Sequence, residues 1–185
     1  MTPLESALVE VTGFLDDLRV PHMLIGGLAV ALWGEPRTTL DVDLSLWIEP
    51  DQFETTFARF LDRFGKRAPE EIAAARASRV LRIQASSGAA VDLLFAAWPM
   101  EREAIENAVT RRIGNREVRV VSIEYLLFLK LISERPKDLA DAQALLRRHR
   151  GKFDRQWLER ELTALAESTA QPEILSRFQH FCRSD

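Results

Sequence analysis

The chain has a single cysteine, Cys182, in 185 residues, which excludes a disulfide framework and any zinc site built on several thiolates. No apolar run approaches the roughly 18–20 residues that a membrane span needs. The start, Met1-Thr2-Pro3-Leu4-Glu5, lacks the basic segment and long apolar stretch of a secretory signal. The default location is therefore the cytoplasm, with no membrane partner. Excess positive charge is missing too. Lys and Arg total 25 against 28 Asp and Glu, a net charge of −3, so bulk charge alone does not grip nucleic acid here. Local basic patches remain open. What is present, 46% hydrophobic and 29% charged residues, fits one ordinary globular domain, alone or with a small helical appendage.

Thr2, Pro3 and Glu5 form a helix start: an N-cap, a proline at the first helical position and a capping box. Leu4, Leu8, Val11, Leu15 and Leu18 follow at helical spacing, and Pro21 ends the run. His22 to Ile25 is a short apolar strand that meets Gly26-Gly27. Leu28 to Trp33 reads as a short buried helix. Leu40 to Ile48 alternates for most of its length, the strand signature, with Leu40, Val42, Leu44 and Leu46 on the buried face. Pro50-Asp51 caps a helix bearing Phe53, Phe57, Phe60, Leu61 and Phe64. Arg79–Ala85 and Ala90–Phe95 read as a hairpin turning through residues 86–89. Glu101–Ala108 reads as helix, Glu117–Val121 as strand, and everything beyond Ser122 as helix, with a break at Pro136. The expected architecture is α+β (α/β-like), a mixed sheet flanked by helices. The expected organisation is a core over residues 1–121 and a helical region over residues 122–185.

The sharpest chemical feature is Asp41-Val42-Asp43. Alternate residues on a strand share a face and lie roughly 6.6 Å apart along the chain. Two carboxylates on one face repel unless a cation lies between them, and Mg²⁺ suits carboxylate oxygens. Two such ions can clamp the attacking and leaving oxygens of a phosphoryl or nucleotidyl transfer. Equally, Asp-x-Asp can mark the solvated face of an ordinary strand, or hold Mn²⁺ in a sugar-nucleotide glycosyltransferase. Gly26-Gly27, fourteen residues upstream between a strand and a helix, adds a turn where backbone N–H groups can approach a phosphate.

Strand, Gly26-Gly27, short helix, a loop with Arg37, then Asp41-x-Asp43 on the next strand together resemble the nucleotidyltransferase superfamily of the DNA polymerase β type. The resemblance is to its minimal bacterial members, including the nucleotidyltransferase toxins of type IV toxin–antitoxin systems. It covers residues 23–95. The block from Ser122 through Lys130, Arg135, Lys137, Asp138 and Asp141 is similar to a helical segment of the same group. The resemblance implies that Asp41, Asp43 and Asp92, the last an acid inside an apolar strand, hold two Mg²⁺ ions (or Mn²⁺) and act catalytically. It implies nucleotide contacts from Gly26, Gly27, Arg37, Thr39, Lys130 and Lys137. The implied partners are an NTP, a hydroxyl acceptor such as tRNA or protein, and a cognate antitoxin. Gly27 stands where many members have serine, so only backbone is offered there. The last forty or so residues match nothing in the group.

The competing reading is a non-catalytic nucleotide-binding or protein-interaction module of the same fold, half of a toxin–antitoxin pair. Three clustered acids argue against a pure binder. Lys130 sits within an apolar helical face, where an ammonium needs an anionic partner: a nucleotide phosphate or Asp138. Asp138 and Asp141 equally suit a helix N-terminus. The three histidines have no ligand-like spacing and read as structural or surface groups. The Arg147–Lys152 cluster reads as a solvated helix end or as a contact for RNA phosphates. Trp33, Trp47 and Trp98 read as core or site-wall residues.

Overall fold

A computed structural model of the protein describes residues 1–35 and 38–183. Those residues divide into two compact units. The first comprises residues 1–29 and 38–121, the second residues 30–35 and 122–183. The chain passes from the first unit into the second within one short helix.

The first unit is built on a six-stranded sheet. Its strands are β1 (His22–Ile25), β2 (Asp41–Leu46), β3 (Val80–Gln84), β4 (Ala90–Phe95), β5 (Val109–Ile113) and β6 (Arg116–Val120), in the order β3-β4-β2-β1-β6-β5. The β2/β4 and β1/β6 pairs are parallel, and the other three are antiparallel. This mixed sheet with helices bears out the α+β reading. Alternation along the strands sends Val42, Leu44, Val91 and Leu93 to one face, where each is fully buried.

The helices α1 (Pro3–Asp17), α3 (Phe53–Phe64), α4 (Pro69–Ser78) and α5 (Pro99–Glu106) belong to this unit. The expected capping box opens α1: the Glu5 N–H donates to the Thr2 hydroxyl, and the Thr2 N–H donates to the Glu5 carboxylate. Its stripe of Ala7, Leu8, Val11 and Leu15 is fully buried. On α3, Phe53, Phe57 and Phe60 all lie against Phe95 of β4, with ring centroids 5.2–6.2 Å apart. Such pairs add about 0.5–1.5 kcal/mol each beyond area burial, so α3 is clamped to the end of β4.

The second unit is helical: α6 (Ile123–Ile132), α7 (Pro136–Arg148), α8 (Arg155–Thr169) and α9 (Glu173–Arg183). Leu126, Leu127, Leu131, Leu158, Leu162 and Phe178 form its apolar centre. His149 donates a 2.6 Å bond from Nε2 to the Trp33 carbonyl and packs edge-on against that indole, a structural use of the histidine. Among the described residues no helix is long and apolar enough to cross a membrane.

Four local expectations are corrected. The helix after β1, α2, begins at Gly26 itself rather than at Leu28 and runs to Trp33. Leu40 lies outside β2 and is 82% exposed, so only Val42, Leu44 and Leu46 line the buried face. Trp98 is 64% exposed, acting as the N-cap of α5 rather than as a core residue. Two elements were not anticipated, α4 and β5. The basic cluster at 147–152 spans the last turn of α7 and the loop beyond it.

Candidate active site

The three aspartates come together through strand register. In the parallel β2/β4 pair Asp43 is opposite Asp92 and Asp41 is opposite Ala90. In the antiparallel β3/β4 pair Arg82 is opposite Asp92, and in β1/β2 Ile25 is opposite Asp43. Since Val42, Leu44, Val91 and Leu93 take the buried face, Asp41, Asp43, Asp92 and Arg82 share the other one. A row of charged side chains thus crosses three adjacent strands and ends beside the β1–α2 turn.

That turn is fitted to Asp43. Gly26 has φ +65°, a left-handed conformation that costs a non-glycine residue about 1 kcal/mol or more. A Cβ there would lie 1.9 Å from Asp43 Oδ2, inside the carboxylate. The Gly27 N–H, at the start of α2, donates to Asp43 Oδ2 at 3.4 Å. A helix N-terminus favours an anion, and here it faces a carboxylate. On the far side, the Thr39 hydroxyl lies 3.3 Å from both the carbonyl oxygen and Oδ1 of Asp41.

Arg82 faces two of the acids. Its guanidinium nitrogens lie 3.8 Å from Asp41 Oδ2 and 3.5 Å from Asp92 Oδ2. The other Asp92 oxygen, Oδ1, is buried without a hydrogen-bond partner among the described residues. Burial pushes the Asp92 carboxyl above the usual carboxylate range; Arg82 pulls it back and the charge on Asp41 pushes it further up.

Among the described residues no three His, Cys, Asp or Glu side chains converge into a ready-made metal cage. The donor set nevertheless fits a hard cation. It offers carboxylate oxygens on one open face, one of them buried and unpartnered, and a resident guanidinium already sits against two of the three groups.

Arg37 lies outside the described residues. Lys130 and Lys137 belong to the second unit. Lys130 is 6% exposed on α6. Its ammonium donates to Asp138 of α7 and lies 3.4 Å from Asp141 Oδ2. Asp138 also accepts from the Ser133 hydroxyl at 2.8 Å and from Arg135 Nε at 2.6 Å. Burial on its own pushes the Asp138 carboxyl up, but these hydrogen bonds and the Lys130 charge outweigh it and hold the carboxyl below the usual range. Of the two partners open to Lys130, the structure supplies Asp138. Lys137, by contrast, is exposed. Arg82 was not among the sequence candidates. The strand pairing reveals it: a five-residue connection, 85–89, sets Gln84 opposite Ala90, and two residues further along each strand Arg82 comes opposite Asp92, whereas the expected turn at 86–89 would have put Ile83 there.

An acidic face at the start of a parallel strand pair, beside a glycine turn that opens a helix, is the arrangement of a nucleotidyltransferase. Residues 15–181 match the model of the nucleotidyl transferase AbiEii toxin family, type IV toxin–antitoxin system. The chain belongs to that family and is a nucleotidyltransferase. Solved structures show the same fold at low identity. An antigenic nucleotidyltransferase-like protein from Paracoccidioides brasiliensis has 16% identity and a TM-score of 0.55, covering 96% of this chain and 92% of its own. The antibiotic-resistance factor ANT(2'')-Ia has 16% identity and a TM-score of 0.53, covering 95% and 96%. A second structure of ANT(2'')-Ia, in complex with adenylyl-2''-tobramycin, has 15% identity and a TM-score of 0.51, covering 97% and 99%. No curated protein sequence matches the chain.

Proposed function

We propose that the protein transfers a nucleoside monophosphate from an NTP to a hydroxyl acceptor, with Asp41, Asp43 and Asp92 holding Mg²⁺, and that it does so as the toxin of a toxin–antitoxin pair. The observation that carries this reading is the single face on which register gathers the three carboxylates beside Gly26 and Gly27. Bound Mg²⁺ (or Mn²⁺) would neutralise charge on the transferring phosphoryl group and the departing pyrophosphate. The chain's own part is placement. Gly26 lets the phosphate-facing turn pack against Asp43, and Gly27 fixes that carboxylate by its N–H. Thr39 steadies Asp41. Asp92, whose carboxyl burial holds above the usual carboxylate range, is the group suited to receive the acceptor hydroxyl's proton. Arg37, close before Asp41 in sequence, suits phosphate through its bidentate fork.

The favoured acceptors are tRNA and protein. The ANT(2'')-Ia complex contains an adenylylated small molecule, so an aminoglycoside belongs in the same test. The protein is incubated with each α-labelled NTP, Mg²⁺ and, separately, pooled tRNA, protein and aminoglycoside. Label should pass to one acceptor class, and Asp43→Ala should lower the rate at least about 100-fold, the scale of losing a group that stabilises transition-state charge. Label transfer that persists in Asp43→Ala sinks the assignment. Growth arrest on expression, relieved by Asp41→Ala, tests the toxin role.

A further inference from the structure

Arg82 is the cation that the acidic face already has, and nothing in the proposed chemistry uses it. It stands on β3, an edge strand of the sheet, directly across the ladder from Asp92. Its side chain is 61% exposed, so the guanidinium is held mainly by charge rather than by packing. The two contacts, 3.8 Å to Asp41 and 3.5 Å to Asp92, are ion-pair distances beyond a good hydrogen bond. A strong, bidentate arginine pair would be shorter. The contacts are also longer than those of Arg76 and Arg63 in this unit. Arg76 grips Glu54 through two bonds of 2.7 and 2.6 Å, and Arg63 meets Glu10 at 2.9 Å. Arg82 therefore neutralises two carboxylates at once without being bound tightly to either. A long exposed side chain with two loose contacts can leave at small cost.

We propose that Arg82 is a built-in counter-ion of the metal-free site, occupying the charge position of the divalent cation and competing with it for Asp41 and Asp92. This rests on the reading that those carboxylates hold the metal. In the metal-free protein Arg82 relieves the repulsion between the two acids and lets them share a face. When the metal binds, the guanidinium leaves both carboxylates and keeps its full charge at the edge of the site. Arg82 is thus a positioning residue that sets the metal concentration at which the site fills. Loss of a counter-charge held by so exposed a side chain corresponds to roughly a fivefold to tenfold change in metal affinity.

The test is direct titration of the nucleotide-free protein with Mn²⁺, following the free aquo-ion by electron paramagnetic resonance. Arg82→Gln should bind Mn²⁺ about tenfold more tightly than the wild type. In chelator it should melt at a lower temperature, since its acids have lost their counter-charge. Arg82→Lys, which keeps the charge, should stay within about threefold of the wild-type affinity. Arg82→Thr, a β-branched residue suited to an edge strand, carries the same comparison should the glutamine variant fail to fold. Unchanged or weaker Mn²⁺ binding in the neutral variants overturns the proposal, as does equal tightening in Arg82→Lys. Asp92→Asn separates the two readings. If the wild type binds no Mn²⁺, or Asp92→Asn binds it as well as the wild type, the metal assignment fails and the role of Arg82 falls with it. If Asp92→Asn loses binding while Arg82→Gln matches the wild type, only the role of Arg82 fails.

Discussion

Two clusters in this chain are made of the same parts, a pair of aspartates and a cation, and they come to opposite ends. In the second unit Lys130 meets Asp138 and Asp141 in a buried group closed by Ser133 and Arg135. In the first unit Arg82 faces Asp41 and Asp92 across longer gaps, on an open face. In the closed cluster Lys130 and Arg135 match the two carboxylates and tie α6 to α7. In the open one a single exposed guanidinium stands against two acids. Composition does not separate the two; burial, the closeness of the contacts and the match of charges do.

The contrast can be broken at its strongest point by Lys130→Met. Removing the ammonium leaves two buried carboxylates with only the exposed Arg135 as a neighbouring cation, on Asp138, and breaking a buried pair in this way costs about 3–5 kcal/mol. Denaturant unfolding should show a loss of that order. A loss below about 1 kcal/mol would place Lys130 outside the structural role and return it to nucleotide binding. The next effect is the acid limb of stability. The Asp138 carboxyl is held below its usual range in the folded state, so its contribution is complete above the ordinary carboxylate range. It is lost as pH falls through the depressed folded value. Melting temperature followed from pH 7 to pH 3 should fall less steeply in Asp138→Asn, which starts lower, than in the wild type. The smallest effect has the opposite sign. Asp92 is raised in the folded state, so it favours folding below the ordinary carboxylate range and loses that advantage as pH rises through the raised value. Asp92→Asn should therefore abolish transfer yet slightly raise the metal-free melting temperature at pH 7. A lower melting temperature would put Asp92 with the closed cluster.

Much of the acidic face was legible because strands advertise it. An aspartate inside Ala90-Val91-Asp92-Leu93 has no reason to be there for packing, and Asp41-x-Asp43 keeps the same alternation. Gly26-Gly27 was visible as a turn, but its close approach to Asp43 depends on a pairing between β1 and β2 that local sequence does not show. Arg82 was hidden for a related reason. Between Leu81 and Ile83 it looks like any solvent-facing strand residue, and only the ladder gives it a partner. The helix α4 left little trace because its run of alanines buries Ala75 and makes no apolar stripe. The strand β5 reads as a charged loop, Val109-Thr110-Arg111-Arg112-Ile113, because its middle three residues are exposed. Gly114-Asn115 between Ile113 and Arg116 was the available clue, a two-residue hairpin turn with φ +61° at the glycine. Residues 30–35, separated in sequence from the helical unit, group with it through contacts that local sequence does not show.

The β2/β4 ladder pairs six consecutive residues on each strand, Asp41 with Ala90 through Leu46 with Phe95. A slip of one residue would turn Asp92 toward the apolar interior and Val91 and Leu93 toward water. A molecule mispaired in that way is inert rather than merely slow, because it has no acidic face left. For the proposed transfer, that makes correct pairing a licence to act: copies that pair wrongly have no acidic face with which to hold a metal, and a change that loosens this ladder disarms the protein.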